Sequence, residues 1–326
     1  MAALVVLVFV LGYGLTQWWP VAAMPETVPA RQTAAPGVAA EKVAMPGKGA
    51  PVRMLAINAG NYFVPEDPGR SKYRQTYKKV EAREALAEVI MKSGADMVGL
   101  CEMGGEGAVS DLQARLKRKG VHLPYQTMVM RKGEDRGLAF LSKYPVARDA
   151  SVQDMPLPGE VRRGRNMLRG VLDATVKLPD GRQFRLVGVH LKSRKALLNR
   201  DETAEDVRRK EAYALRDYLN GVMGLQEGMP LVLYGDFNDG PADEAMQVIQ
   251  GEGKSAGRLN RLKPRDSRGE TWTIYYNDGD SYHSFDHLFI NQALQKRLGG
   301  RPVTGVVDIP ESRLASDHRG VWVELR

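Results

Sequence analysis

Four residues able to bind a metal or to transfer a proton each follow a short apolar run typical of a buried strand: Asn58, Glu102, His190 and Asp236. Strand ends in packed sheets lie at a common rim, where loops carry binding and catalytic groups. One polar residue at a strand end is commonplace, whereas several of them favour a shared site. With further polar positions from the second half of the chain, the candidate set is Asn58, Glu102, His190, Asp236, Asn238, Asp286, Asp317 and His318.

This set of side chains suits the hydrolysis of a phosphate ester. The scissile group is anionic, and a hard cation that neutralises it takes oxygen ligands from carboxylates such as those of Glu102 and Asp317. The carboxylate of Asp236 can activate a water, and the amides of Asn58 and Asn238 can stabilise phosphoryl oxygens. Histidines then move protons or contact phosphate. We therefore expect Mg²⁺, with Mn²⁺ or Ca²⁺ as alternatives, and attack by a metal-activated water.

Six short segments carry a resemblance to a known family. They are Ile57-Asn58, Gly99-Leu100-Cys101-Glu102, Val189-His190-Leu191-Lys192-Ser193, Gly235-Asp236-Phe237-Asn238, Phe285-Asp286-His287 and Ser316-Asp317-His318. In this order, over residues 52–326, they resemble the endonuclease/exonuclease/phosphatase family, which includes deoxyribonuclease I-like nucleases. The fourth and sixth segments are specific in combination, although each is weak alone.

The resemblance implies an α/β fold, namely a four-layer α/β sandwich of two packed mixed or antiparallel sheets flanked by helices, with a metal at one rim. It implies that Glu102 is the main metal ligand and that Asn58 and Asp317 lie beside the metal. Asn58 is thereby expected to contact both metal and substrate.

The resemblance also distributes the hydrolytic roles. It implies that Asp236 activates the attacking water, that Asn238 binds phosphate and that His318 pairs with Asp286. His190 is expected to contact phosphate from the other side of the site.

Two positions depart from the family pattern or leave its completion open. His287 stands where the family often has Tyr, and as the neighbour of Asp286 in a strand it is expected to face away from the site. The partner of His190 is open: Asp135 is the candidate, and a solvated loop acid is an equal alternative for that residue.

The elements that must position these residues are mixed strands and helices. Apolar residues spaced from Ala82 to Ile90 predict a helix that ends at Gly94. Thr203 and Asp206 resemble a capping box at the start of another helix. Turn signals predict one hairpin between strands at 168–176 and 184–189, and another between 271–276 and 285–290. Frequent hairpins argue against a parallel, doubly wound sheet.

Composition narrows the class of protein. The chain has 326 residues, enough for one large domain or two smaller ones. Its single cysteine, Cys101, excludes an intramolecular disulfide and a multi-cysteine zinc site. The formal net charge of +8 favours polyanionic partners, although an ordinary basic surface would give the same value.

The N-terminus divides into two segments before the folded domain. Residues 1–23 contain an apolar run of about 14 residues and predict a signal peptide or membrane anchor. The run lacks a preceding basic region, and Trp18 and Trp19 would suit a membrane interface. Residues 24–51 are rich in Pro and Ala and predict a disordered linker, and residues 52–326 form the predicted catalytic domain. We expect export to the periplasm or the exterior, or anchoring by the N-terminus, in preference to a cytoplasmic location.

The positions of the basic residues favour nucleic acid over other phosphoester substrates. Arg165 lies in one basic run and Lys192 in another, directly after His190, and both are expected to bind the substrate backbone at the rim. We therefore expect a monomeric nuclease that acts on DNA or RNA. The alternatives are a phosphomonoesterase or a phospholipid phosphoesterase acting on sphingomyelin or phosphoinositides. An inactive, basic polyanion-binding module is a further alternative.

Overall fold

A computed structural model describes residues 49–65, 67, 76–195, 202–226, 228–253, 257–276 and 279–326. The predicted signal or anchor segment and nearly all of the predicted linker lie outside these residues. Within the part of the chain that is described, no helix is long and apolar enough to cross a membrane.

The first sheet has six strands: β1 (Val52–Tyr62), β2 (Met97–Met103), β3 (Tyr125–Val129), β4 (Gly137–Ser142), β13 (Thr304–Val306) and β14 (Val321–Leu325). Their order is β13-β14-β1-β2-β4-β3. Strands β1 and β2 pair in parallel, and the other neighbours are antiparallel.

The second sheet also has six strands: β5 (Val146–Asp149), β6 (Leu172–Lys177), β7 (Gln183–His190), β8 (Leu231–Asp236), β9 (Asn260–Arg261) and β12 (Asp286–Ile290). Their order is β5-β6-β7-β8-β12-β9, and only β7 and β8 pair in parallel among these described strands. A separate hairpin joins β10 (Ile274–Tyr276) to β11 (Ser281–His283).

The described helices are α1 (Val80–Ser93), α2 (Glu106–Arg118), α3 (Ala204–Leu225), α4 (Glu244–Gln250), α5 (Gln292–Arg297) and α6 (Ser312–Ala315). The first four cover the outer faces of the sheets, whereas Leu294 of α5 packs into the cluster between them. One apolar cluster fills the space between the sheets. A second packs α1 and α2 against the first sheet, and a third packs α3 and α4 against the second. The four-layer α/β sandwich expected from the resemblance is therefore confirmed.

Local sequence signals account for the ends of two helices. Helix α1 buries Ala85, Leu86, Val89 and Ile90 and ends at Gly94, whose φ of 66° is the left-handed conformation that glycine adopts without a steric cost. At α3, the Thr203 hydroxyl accepts from the backbone NH of Asp206, and the Asp206 carboxylate accepts from the backbone NH of Thr203. Aspartate therefore completes the predicted capping box.

The second predicted hairpin is wrong in its partner strand. Strand β10 pairs with β11, whereas the segment from Asp286 to Ile290 pairs with β8, with Asp286 opposite Asp236. All five residues of β12 are buried, as expected of a strand in the interior of a sheet. The turn signal between the strands gives no information on this longer-range pairing.

Tyr234 packs between two glycines, one from each sheet. A Cβ atom at Gly99 in β2 would lie 2.0 Å from Tyr234 Cε2, and one at Gly188 in β7 would lie 2.7 Å from Tyr234 Cζ. The ring is buried and lies two residues before Asp236, so its packing sets how closely the two sheets approach near that carboxylate.

We expect Gly99→Ala to destabilise the fold by at least about 2 kcal/mol, because the added methyl overlaps a ring that is confined on both sides. Gly224→Ala is the matched control: a Cβ there meets no atom within 4 Å, and helix α3 should gain up to about 1 kcal/mol. Urea unfolding followed by far-ultraviolet circular dichroism measures both changes. Equal midpoints for Gly99→Ala and the parent would contradict the close packing of Tyr234.

Candidate active site

The predicted residues converge where the ends of strands from both sheets meet. His190 and Asp236 are the last residues of β7 and β8, and Asp286 is the first residue of the antiparallel β12. Asn58 and Glu102 lie at register shifts in β1 and β2 of the other sheet. The expectation of a shared rim is therefore met in the geometry, with Asp317 and His318 supplied by the loop before β14.

The backbone is strained at this rim. Among the described residues, four that are not glycine have a positive φ, and three of them belong to the site: Asn61 at 52°, Glu102 at 58° and Asn238 at 54°. Left-handed backbone at such residues carries an energetic cost and tends to occur at functional sites. The strain at Glu102 fits a carboxylate held in place for a ligand.

Asp236 lies at the centre of the site. Its Oδ1 accepts from the backbone NH of Asn238 at 2.8 Å, and its Oδ2 accepts from Asn58 Nδ2 at 3.0 Å. The Oδ2 atom is also 3.5 Å from His190 Nε2 and 3.7 Å from His318 Nε2. Burial raises the pKa of Asp236 above its usual value, although the nearby His318 lowers it. This carboxylate therefore lies between two imidazoles, with a raised pKa that suits the predicted role of a base.

His318 is a buried imidazolium. Its Nδ1 lies 2.7 Å from Asp286 Oδ2, as the resemblance implies. Burial lowers the pKa of His318, but the carboxylates of Asp286 and Asp236 raise it further, to about 10. The ring therefore carries a proton at neutral pH and directs Nε2 towards Asp236.

His190 is neutral by contrast. Burial lowers its pKa well below the usual range, and the positive charge of Arg169 acts in the same direction. The expected pairing with Asp135 is not found: the Asp135 carboxylate accepts from Arg136 Nε at 2.9 Å, and His190 Nδ1 has no hydrogen-bond partner among the described residues. The arginine next to Asp135 attracts its carboxylate more strongly than a neutral imidazole does.

The carboxylate of Glu102 fits a hard cation. Its Oε2 accepts from the backbone NH of Asn61, while its Oε1 is 3.9 Å from Arg136 Nη1 and 4.0 Å from His190 Nε2, both beyond hydrogen-bond range. An anionic oxygen without a close donor is the kind of ligand that Mg²⁺ prefers. The Asp317 carboxylate is held more weakly, because its Oδ1 accepts from the Ser316 hydroxyl at the long distance of 3.3 Å.

A second group of potential ligands gives a poorer fit. Ligand atoms of Asp236, Asp286 and His318 lie within 4.8 Å of one another and could hold a metal. However, His318 Nδ1 is occupied by Asp286, and the protonated ring has no free lone pair for an ion. The free Oε1 of Glu102 therefore fits a divalent cation better than this group does, and the assignment of Glu102 and Asp317 as its ligands stays a prediction.

Both asparagines are more committed to protein contacts than expected. Asn58 Oδ1 accepts from the backbone NH of Gly60, and its Nδ2 donates to Asp236, so the amide orients the base. Asn238 Nδ2 donates to the Leu191 carbonyl at 3.0 Å and joins the ends of β7 and β8. Their roles towards metal and phosphate remain predictions.

Arg165 and Lys192 do not present free charges to the rim. The Arg165 guanidinium forms ion pairs with Glu160 and Glu202. Lys192 is buried, and its Nζ donates to oxygens of Ser193 and Lys195 in its own loop. Their roles as substrate contacts stay predictions, and each side chain would have to leave these partners to bind a phosphate.

Other cations surround the site. Lys78 Nζ donates to the Gly60 carbonyl, and the negative charges of Asp317 and Glu102 act on it. Arg136 hydrogen-bonds Asn61 and faces Glu102. Two more cations, Arg169 and Arg194, come from the basic runs that the sequence places beside the rim. Arg169 Nη1 donates to the Leu191 carbonyl, and Arg194 Nε donates to the Asn238 carbonyl. The sequence offers no signal for Lys78.

A buried acid supports the rim from below. Glu211 of α3 is fully buried and accepts from the backbone NH groups of Leu168, at 3.0 Å, and Lys192, at 2.6 Å. It thereby ties the loop that carries Arg169 to the segment that follows His190. His287, in turn, faces away from the site as expected, with Nε2 against the Asp239 carbonyl at 3.0 Å.

Comparisons with known proteins identify the family and the fold. The protein-family model described as "Endonuclease/Exonuclease/phosphatase family" matches residues 73–318. A comparison with curated proteins gives no match. Among solved structures, beta toxin 275-280 from Staphylococcus aureus has a TM-score of 0.58 at 14% identity, covering 84% of this chain and 100% of that chain. An endonuclease/exonuclease/phosphatase from Bacteroides vulgatus has a TM-score of 0.58 at 17% identity (85% and 99% covered). Sphingomyelinase C from Streptomyces griseocarneus has a TM-score of 0.55 at 17% identity (85% and 100% covered). At these identities the similarity to solved structures shows a shared fold.

The pairing of His318 with Asp286 can be tested by titration. In chelator-treated protein, the His318 imidazole should remain protonated through pH 8, and Asp286→Asn should lower its proton affinity at least tenfold because the buried countercharge is lost. Nuclear magnetic resonance of ¹³C-labelled histidine follows the ring directly, with assignment by His318→Gln.

Stability should follow the same equilibrium. Folded His318 binds its proton more tightly than the unfolded residue, whose pKa is about 6.5. Its stabilising contribution is therefore complete below that pH and is lost as the pH rises through about 10. A His318 signal that titrates near pH 6.5 in the parent would show that the ion pair does not form.

Proposed function

The chain belongs to the endonuclease/exonuclease/phosphatase family, and on that premise we propose that this metal-dependent phosphoesterase is a nuclease that hydrolyses phosphodiester bonds of DNA or RNA. The observation that carries the proposal is the position of the buried Asp236 between Asn58, His190 and His318, close to the carboxylate of Glu102.

Each residue has a distinct part in the proposed reaction. Asp236 accepts a proton from the attacking water, and Asn58 holds the carboxylate in the required orientation. The imidazolium of His318, fixed by Asp286, offers positive charge to the phosphoryl oxygens as negative charge develops. Neutral His190 offers its Nε2 to the same space. A divalent cation at Glu102 and Asp317 would supply Lewis-acid stabilisation of the phosphoryl group.

The cations at the rim support a polyanionic substrate. Lys78 and Arg169 approach acids or backbone groups of the site, and Arg136 and Arg194 do so while also paired with Asp135 and Asp243. A single phosphomonoester needs fewer positive charges than a strand whose phosphates extend on both sides of the cleaved bond. The formal net charge of +8 also favours a polyanionic substrate, because it attracts negative charge at longer range.

A phospholipid phosphodiesterase is the second candidate. The fold is shared with a sphingomyelinase C, and the predicted N-terminal anchor would bring the domain to a membrane. Both candidates need the same hydrolytic residues, so a substrate panel decides between them.

We expect the purified domain to cut single-stranded DNA or RNA oligonucleotides or plasmid DNA with Mg²⁺, Mn²⁺ or Ca²⁺, and to lose this activity in chelator. Asp236→Asn should lower kcat by about 10²- to 10⁴-fold, because the base is lost while the shape is kept. Lys177→Gln, at the opposite end of the second sheet, is the control and should retain parental activity. Turnover of sphingomyelin vesicles or inositol phosphates, with every nucleic acid left intact under all three metals, would replace the nuclease assignment.

A second measurement tests the cationic rim. In chelator, Arg169→Gln should weaken oligonucleotide binding and reduce the slope of log affinity against log salt concentration by about 0.7, the value for one phosphate contact on a single strand. Lys177→Gln removes the same charge from the far end of the sheet and should leave the slope unchanged. Fluorescence anisotropy at several salt concentrations gives both slopes, and identical slopes for Arg169→Gln and the parent would remove Arg169 from the binding surface.

A further inference from the structure

An aromatic platform borders the active site without a role in the hydrolytic chemistry. It consists of Tyr276, His283 and Phe285. The His283 and Phe285 rings are stacked with centroids 5.1 Å apart, and the Tyr276 ring contacts both edgewise, at 5.6 Å and 6.1 Å. Phe285 is buried, whereas Tyr276 is 37% exposed, so a ligand can reach the platform at Tyr276.

Three connections fix the platform beside the reacting groups. Phe285 directly precedes Asp286, and its carbonyl accepts from the backbone NH of Phe237. Ile274, two residues before Tyr276, forms a β-bridge with His318. The charges of Asp236 and Asp317 both act on the Tyr276 hydroxyl. The open ring of Tyr276 therefore lies next to the position expected for the scissile phosphate.

The surroundings of the platform are charged and polar. The Arg194 guanidinium lies 4.7 Å from the Phe285 ring centroid, its Nε donates to the Asn238 carbonyl at 3.1 Å, and its Nη2 forms ion pairs with Asp243 and Asp239. His283 Nε2 lies 3.0 Å from the Ser281 hydroxyl. A ligand on this surface would find a flat ring, a nearby guanidinium and hydrogen-bonding groups.

We infer that the platform of Tyr276, His283 and Phe285 stacks an unpaired nucleobase of the nucleotide flanking the scissile phosphate, and that the enzyme therefore prefers single-stranded nucleic acid. This inference rests on the nuclease function proposed above. Base–aromatic stacking tolerates any sequence because every base has a π-face. In a duplex the flanking base is already stacked between its neighbours and cannot lie on Tyr276 without being extruded.

The observations favour a base over a lipid as the occupant. The platform exposes one ring, that of Tyr276, beside polar and charged groups, whereas acyl chains need a broad apolar surface. The more exposed aromatic residue of the hairpin, Tyr282 at 57%, lies on the opposite face, because Tyr275 pairs with Tyr282 and Tyr276 pairs with Ser281. Tyr282 packs against Trp272 and Tyr275, outside the platform.

The test uses a short single-stranded oligonucleotide with one cleavable phosphodiester and methylphosphonates at all other linkages. Three versions carry either all bases, an abasic site 5′ to the cleavable bond, or an abasic site 3′ to it. The value of kcat/KM is measured for the parent, Tyr276→Ala and Tyr282→Ala. Tyr282→Ala is the matched control, since it removes a ring from the same hairpin on the other face. Tyr276→Phe keeps the ring as a second control, and if Tyr276→Ala fails to fold, the comparison of intact and abasic substrates with the parent carries the test.

We expect Tyr276→Ala to lower kcat/KM about 5- to 150-fold on the intact substrate, the range of one base–aromatic stack. One of the two abasic substrates should be equally poor for the parent, and Tyr276→Ala should lose nothing further on it. Tyr276→Phe and Tyr282→Ala should behave as the parent does, and a duplex substrate should be cut more slowly than the single strand.

Two outcomes overturn the inference in distinguishable ways. If the parent cuts the oligonucleotide but Tyr276→Ala matches Tyr282→Ala on every version, the platform does not bind a base, while the nuclease function stands. If the parent cuts no nucleic acid and instead hydrolyses sphingomyelin vesicles, both the inference and the nuclease function fail.

Discussion

The hydrogen bond from Asn58 to Asp236 joins the two sheets at the point where the chemistry takes place. Asn58 belongs to β1 of the first sheet and Asp236 to β8 of the second, and both side chains are buried. Because a buried polar group left unpaired costs roughly 1–3 kcal/mol, the two sheets must meet in one alignment for this bond to form. Tyr234, held against Gly99 and Gly188, sets their separation two residues away. The packing of the two sheets therefore positions Asp236, the proposed base.

Electrostatics imposes the next constraint. Three carboxylates, those of Glu102, Asp236 and Asp286, lie close together in a largely buried space, and His318 supplies one compensating charge. Neutral His190 adds none. Arg136 and Lys78 lie near Glu102 but form no hydrogen bond with its Oε1, so this oxygen has no close cation. A divalent ion at Glu102 would supply that cation and would also neutralise the incoming phosphate, so the same excess of acid serves both binding of the metal and catalysis.

The sequence predicts the layers and the hydrolytic residues because both depend on short-range patterns. Strand-end placement and family motifs predict the position of Asp236 at the rim and the pairing of His318 with Asp286, both of which the structure contains. Patterns of this kind fail where long-range pairing decides the outcome: β12 joins β8 instead of β10, and Arg165 is neutralised by Glu202, which lies 37 residues away along the chain. Lys78 reaches the site from the residues just before α1, where no local signal marks it. A linear motif reports what a residue can do, whereas its ion-pair partners depend on the tertiary fold.

Catalysis and substrate choice rest on different parts of this structure. The hydrolytic residues lie at the ends of strands whose ladders continue through both sheets, so moving any of them would disturb the core. The hairpin of β10 and β11 forms its own two-stranded sheet and reaches the catalytic loop through the bridge between Ile274 and His318. Its side chains can therefore change without altering Asp236 or its partners. If Tyr276 stacks a flanking base as inferred above, this separation would let the hairpin determine the choice of substrate while Asp236 and its partners stay unchanged.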